Sequence, residues 1–155
     1  MSEAAAENTQ PIFNVEKIYV RDLSLEIPHA PKIFLSRESP QVDIQLHTQA
    51  ASIEEGLFEV LVKATVTAKV GDNTMFLVEV EEAGIFQIRN VPSEELEPIL
   101  AVMCPNILFP YLREVVSDVV VRGGFSPVLL NPVNFDSIYQ QQRRQAQSGT
   151  AATTH

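Results

Sequence analysis

Residues 58–81 read FEVLVKATVTAKVGDNTMFLVEVE. Phe58, Val60, Val62, Ala64, Val66, Ala68 and Val70 fall on one face of an extended chain, and Glu59, Lys63, Thr65, Thr67 and Lys69 fall on the other. Leu61 is the exception. Side chains alternate across a strand, so this period of two predicts a long strand with one dry face and one wet face. Gly71-Asp72-Asn73 supplies residues that tolerate positive φ, the requirement of a tight hairpin. The return strand then sets Phe76, Val78 and Val80 on one face against Leu77, Glu79 and Glu81 on the other. The expected unit is an antiparallel sheet solvated on one side.

Toward the N-terminus, a strand is expected from Phe13 to Ile27, with Leu23, Leu25 and Ile27 opposite Asp22, Ser24 and Glu26. Its alternation fails near Ile18 to Val20, which predicts a bulge or twist. Pro28-His29-Ala30-Pro31 ends the pairing, because two prolines remove two donors. Val42 to His47 forms a further short alternating strand. The wet face is then acidic on its first and fourth strands, through Asp22, Glu26, Glu79 and Glu81.

Beyond Gly84-Ile85-Phe86-Gln87-Ile88 the period changes. Ser93 is expected as a helix N-cap, with Glu94, Glu95 and Glu97 in the first turns and Arg122-Gly123-Gly124 at the end. Between them apolar pairs recur about every four residues, from Leu96 to Val119/Val120. Pro105 and Pro110 predict one kinked helix or two nearly continuous ones. A four-residue repeat drifts about 40° per turn against a period of 3.6. Such a helix offers more apolar surface than one sheet face covers, and the surplus is expected to drive oligomerisation. Phe125 to Pro132 reads as an apolar loop, and Asn134 caps a short final helix carrying Phe135, Ile138 and Tyr139. The organisation is therefore a disordered lead-in at 1–11, one domain at 12–147 and a disordered tail at 148–155.

The 155 residues, 45% of them hydrophobic, are enough for one core. Twenty acidic against eleven basic side chains give a net charge of -9, which disfavours nucleic-acid binding and suits basic partners. Cys104 is the only cysteine, so no disulfide framework exists, and a reducing cytosolic setting is expected. The first ten residues lack the pattern of a signal peptide. No apolar stretch comes near the ~20 residues that span a bilayer, so no membrane insertion is expected.

Catalytic chemistry is hard to build from these residues. His29, His47 and His155 have no metal-ligand spacing with one another or with Cys104, and no metal or cofactor is expected. Cys104 lies on the apolar helix phase, as a buried structural thiol does. No phosphate-cradling glycine motif is present. Glu81 and Glu82 point to opposite sides of a strand and cannot act as a dyad. What remains is apolar material beside Pro- and Gly-rich connections: Phe86, Ile88, Phe109, Tyr111, Phe125, Phe135 and Tyr139. Such places can admit an extended peptide.

Four segments carry a resemblance to a known family. They are Ile18-Tyr19-Val20-Arg21-Asp22-Leu23-Ser24-Leu25-Glu26 with Pro28-His29-Ala30-Pro31, then Gly84-Ile85-Phe86, then Cys104-Pro105-Asn106-Ile107-Leu108-Phe109-Pro110-Tyr111, and Pro132-Val133-Asn134-Phe135-Asp136. From about Phe13 to Gln142 the chain resembles the bacterial export chaperone family SecB. The resemblance implies an α+β fold: a four-stranded antiparallel sheet with a solvated face, and a long Pro-kinked helix and short C-terminal helix on the other face. It implies a homotetramer, a dimer of dimers, that holds unfolded precursor proteins without ATP and delivers them to the SecA motor. Carried over by position, Asp22, Glu26, Leu77 and Glu79 would dock the motor, while Val78, Val80 and Glu82 would bear on assembly and client binding. Val78 and Val80 are expected to face the helices and act through packing. Glu82 adds a charge where an uncharged residue would serve. Arg143 and Arg144, with no acid after Asp136, put a tail contact with the motor in doubt. A narrow adaptor, a small hydrolase using Cys104 or His47, and a toxin–antitoxin role stay open.

Overall fold

The hairpin of residues 58–81 forms the centre of the sheet. A computed structural model describes residues 10–152. It contains β1 (Ile12–Glu26), a 3-10 turn (Lys32–Leu35), β2 (Gln41–Glu54), β3 (Leu57–Val70) and β4 (Asn73–Arg89). A helical run follows as α1 (Ser93–Pro98), a π-helical turn (Ile99–Met103) and α2 (Cys104–Arg122), and α3 (Phe135–Ala152) is the last described element. Residues 1–9 of the expected lead-in and residues 153–155 of the expected tail lie outside the described residues.

The sheet order is β1-β4-β3-β2, with every neighbouring pair antiparallel. β2, β3 and β4 form a meander, and β1 adds to its far side. Residues 27–40 therefore cross one end of the sheet. β1 shows register shifts between Val15 and Lys17 and between Val20 and Asp22. These shifts flank the stretch where its alternation fails, as bulges do.

β2 runs to Glu54, well past the His47 limit expected from alternation. Its second half is an exposed edge held by backbone pairing with β3, so no apolar side-chain pattern is required there. β4 likewise passes through Gly84 unbroken. A Cβ at Gly84 would stand 3.0 Å from Leu108 Cδ2 and 3.1 Å from the Lys17 carbonyl oxygen. The glycine lets α2 and β1 approach β4 at that point.

The helical run from Ser93 to Arg122 is continuous. Ser93 is its first residue and makes no cap; Pro92 takes the N-cap position, and its carbonyl accepts from the amides of Glu95 and Leu96. Proline at that point presets the backbone, and Glu94 and Glu95 complement the helix dipole without a hydroxyl cap. Pro105 has no amide to return to the preceding turn. The π-helical turn just before it widens the coil there, so the helix continues rather than breaking. By length and apolarity this run would qualify to cross a membrane, contrary to the expectation that no stretch comes near that limit. The difference arises because Pro105 and Pro110 interrupt the sequence pattern but not the helix. It serves as the core helix: Cys104, Leu108, Leu112, Val116 and Val120 are fully buried.

Asn134 Oδ1 accepts from the Ser137 amide at 3.0 Å and caps α3. At 18 residues α3 is longer than expected and runs past residue 148, where the sequence reading starts the tail. Gln140 to Gln147 is polar and exposed, so helix propensity and solvent, not a core, carry that stretch. α3 packs on the π-helical turn and sets Phe135 edge-on against Phe109 at 5.9 Å between ring centres.

Candidate functional site

A helix with its side chains is about 10–12 Å wide, whereas four strands spaced about 4.8 Å apart present a broader floor. α2 lies mainly on the two central strands, β3 and β4, touches β1 only lightly, and leaves parts of both margins of the dry face uncovered. On β1 those margins expose Val15, Val20 and Leu23, and on β2 they expose Val42 and Ile44, all between 41% and 48% exposed. Val20 stands opposite Glu82 and Leu23 opposite Val80; Val42 stands opposite Ala68 and Ile44 opposite Val66. Each margin thus continues a buried row outward into solvent.

At the β2 margin the crossing segment adds aromatic surface. Phe34 stacks on Phe125 at 5.1 Å, and Phe125 tilts against Phe76 at 4.9 Å. Together with Ile33, Val42 and Val128 these rings line a recess of about 410 Å³. Next to them Leu35 is 81% exposed. A mouth of this size with apolar walls accepts a large side chain of an extended segment.

Solvent meets a different surface on the far side of the sheet. Asp22 pairs in register with Glu81, Ser24 with Glu79 and Glu26 with Leu77, so Asp22, Glu26, Leu77 and Glu79 lie in one patch on adjacent strands. The bulge after Val20 brings Arg21 to this side, where it pairs with Glu59 of β3 at 3.2 Å. The Tyr19 hydroxyl donates to the other oxygen of Glu59. Tyr19 stands opposite Ala83, and Ala83 opposite Leu61. The brace crosses β4 at its smallest side chain, and Ala83 and Leu61 are buried although they face outward. Burial, and then the hydrogen bond to Glu59, push the Tyr19 phenol up to about 12.

The remaining residues singled out from the sequence divide by environment. Val78, Val80 and Phe86 are fully buried on the dry face, and Ile88 is nearly so. Phe109 lies buried with Phe135 where α2 and α3 meet, and Tyr139 is buried on α3. Tyr111 is half exposed on α2, and Phe125 lines the aromatic recess. Of the ring-bearing set only these two are more than slightly exposed. Phe34, Leu35, Val20, Leu23, Val42 and Ile44 escaped the sequence reading as site residues. The signal available was Ile33-Phe34-Leu35, a consecutive apolar run within a proline-flanked connection.

Glu82 points inward from β4 and is 3% exposed, with its Oε2 buried and without a hydrogen-bond partner. Burial, and then the charge of Glu114, raise its carboxyl to about 7. Burial also pushes the Cys104 thiol up to about 12, which keeps it a packing group. Among the described residues no three His, Cys, Asp or Glu side chains come together in a way that could hold a metal.

Comparison with known proteins gives a consistent picture. Residues 6–146 match the family model SecB, described as preprotein translocase subunit SecB. The protein-export protein SecB of Methylobacillus flagellatus is 61% identical over 153 residues, covering 99% of this chain and 98% of the relative. That of Nitrosomonas eutropha is 62% identical, covering 88% and 87%. Among solved structures, a Mycobacterium tuberculosis SecB-like chaperone in complex with a peptide from the HigA1 antitoxin aligns with a TM-score of 0.65. It shares 19% identity and covers 85% of this chain and 95% of that one.

Proposed function

Since the chain belongs to the SecB family, we propose that it is a protein-export chaperone whose uncovered dry-face margins hold unfolded precursor segments. The observation that carries the reading is the pair of apolar margins flanking α2, one of them ending in the Phe34–Phe76–Phe125 recess. Each apolar side chain buried there contributes roughly 1.5–3 kcal/mol before ordering costs, so several weak contacts hold a chain without a fixed sequence. Exposed strand edges add backbone pairing, which every extended polypeptide can make. Folded proteins hide both groups and are ignored. No step consumes a nucleotide, and the chain acts by binding rather than by catalysis.

Assembly as a homotetramer, a dimer of dimers, would cover part of the margins and multiply the remaining sites. The acidic patch of Asp22, Glu26 and Glu79, with Leu77 beside it, suits a basic segment of the SecA motor. Such docking faces away from the client surface, so both partners can be held at once in the cytosol. Beyond Asp136 the C-terminal helix carries Arg143 and Arg144 and no acid, so a second motor contact through it is not expected.

Fluorescence anisotropy of one labelled precursor, presented unfolded and folded, tests the holdase reading. Tight binding of the unfolded form alone is expected; equal affinity for both forms would refute it.

A further inference from the structure

We infer that Glu82 is a proton-linked latch on the seam between α2 and the sheet, packed shut with its proton and loosened without it. The geometry is that of a carboxyl set into an apolar layer. Glu82 occupies the dry face of β4 between Val80 and Gly84, and its register neighbours are Val20 on β1 and Val62 on β3. Neither neighbour titrates or donates a side-chain hydrogen bond. From α2 the charged group that reaches it is Glu114, a like charge. Its Oε2 is sealed from solvent and has no hydrogen-bond partner. A carboxylate in that position costs charge desolvation on one side and repulsion on the other, whereas the neutral acid escapes the repulsion and costs far less to desolvate.

The sign follows from which state keeps the proton. Below its ordinary value near 4.5 Glu82 is protonated in the packed and the opened seam, and pH has no leverage. From there to about 7 the packed state holds the proton and the opened state releases it, so packing weakens as pH rises. Above that range the full penalty is present and the dependence levels off. Gly84 brings Leu108 of α2 close to β4 two residues away, so loosening at Glu82 falls beside a close approach of the seam. The margins that flank α2 would then widen on the alkaline side of neutrality.

The test uses the full-length chain in its native assembly. Carboxyl-carbon NMR of glutamate-labelled protein should show one glutamate titrating near neutrality, and Glu82→Gln should abolish that titration. Hydrogen-exchange protection of β4 and α2 amides, corrected for intrinsic exchange, should fall with pH by up to about tenfold per unit in the wild type. In E82Q it should stay flat. Glu114→Gln, which keeps the buried acid, should move the titration to lower pH without removing it. That variant decides the matter if E82Q fails to fold. A wild type whose glutamates all titrate in the ordinary range, or equal pH dependence in wild type and E82Q, overturns the latch.

Discussion

On its helix side the sheet buries Val60, Val62, Ala64, Val66, Val78 and Val80 to 1% exposure or less, while Lys63, Thr65, Thr67, Leu77 and Glu79 on the opposite side remain half-buried. The same strands make both surfaces, one residue out of phase. Where α2 covers the dry face, apolar packing holds the subunit together. Where α2 stops short, the same chemistry continues uncovered, and that continuation is the surface proposed to hold clients. The wet face carries few apolar side chains, Leu61, Leu77, Ala83 and Ile85 among them, and it is organised by charge: carboxylates on β1 and β4, and a Tyr19–Glu59–Arg21 brace. Such a face can choose a partner by sign without contributing much to stability.

Substitutions of graded size probe that contrast. The largest effect is expected at the dry face: Leu112→Ala should lower unfolding free energy by about 2–5 kcal/mol in urea titration, because a fully buried side chain leaves a cavity. A loss below that range would mean that α2 collapses onto the sheet and that the seam is soft. Next comes the brace. Tyr19→Phe keeps the ring over Ala83 and removes one hydrogen bond, so a loss of about 0.5–1.5 kcal/mol is expected by the same titration. If it matched Leu112→Ala, the wet face would be structural and the contrast would fail. The smallest change in stability, within about 0.5 kcal/mol, is expected for Asp22→Lys with Glu79→Lys. Binding of the SecA motor should nevertheless drop, and the native mass by light scattering should stay constant. Dissociation of the assembly would show those carboxylates to be structural.

What could be read in advance follows the burial. The β3–β4 hairpin, the inward-facing Val78 and Val80 and the outward-facing Asp22, Glu26, Leu77 and Glu79 were all legible, since alternation is imposed wherever one face is dry. The second half of β2 was not legible: from Gln49 to Glu54 the strand is held by backbone bonds at an exposed edge, which leave no mark on side-chain choice. Ser93 resembles a cap but starts the helix, because Pro92 already presets the turn before it. Phe109 and Phe135, expected among the client-binding or assembly residues, are buried against each other, a contact between residues far apart in the chain.

Taken alone, the order of residues determined the local periods: where strands alternate, where the helix begins its apolar repeat, and how acidic the solvated face is. Only the tertiary arrangement decided coverage. One helix over four strands leaves two apolar margins, and the crossing segment carries Phe34 to Phe125 across one of them. The physical reason is that period and charge are properties of neighbours along the chain, whereas the area left exposed depends on how widths match in space.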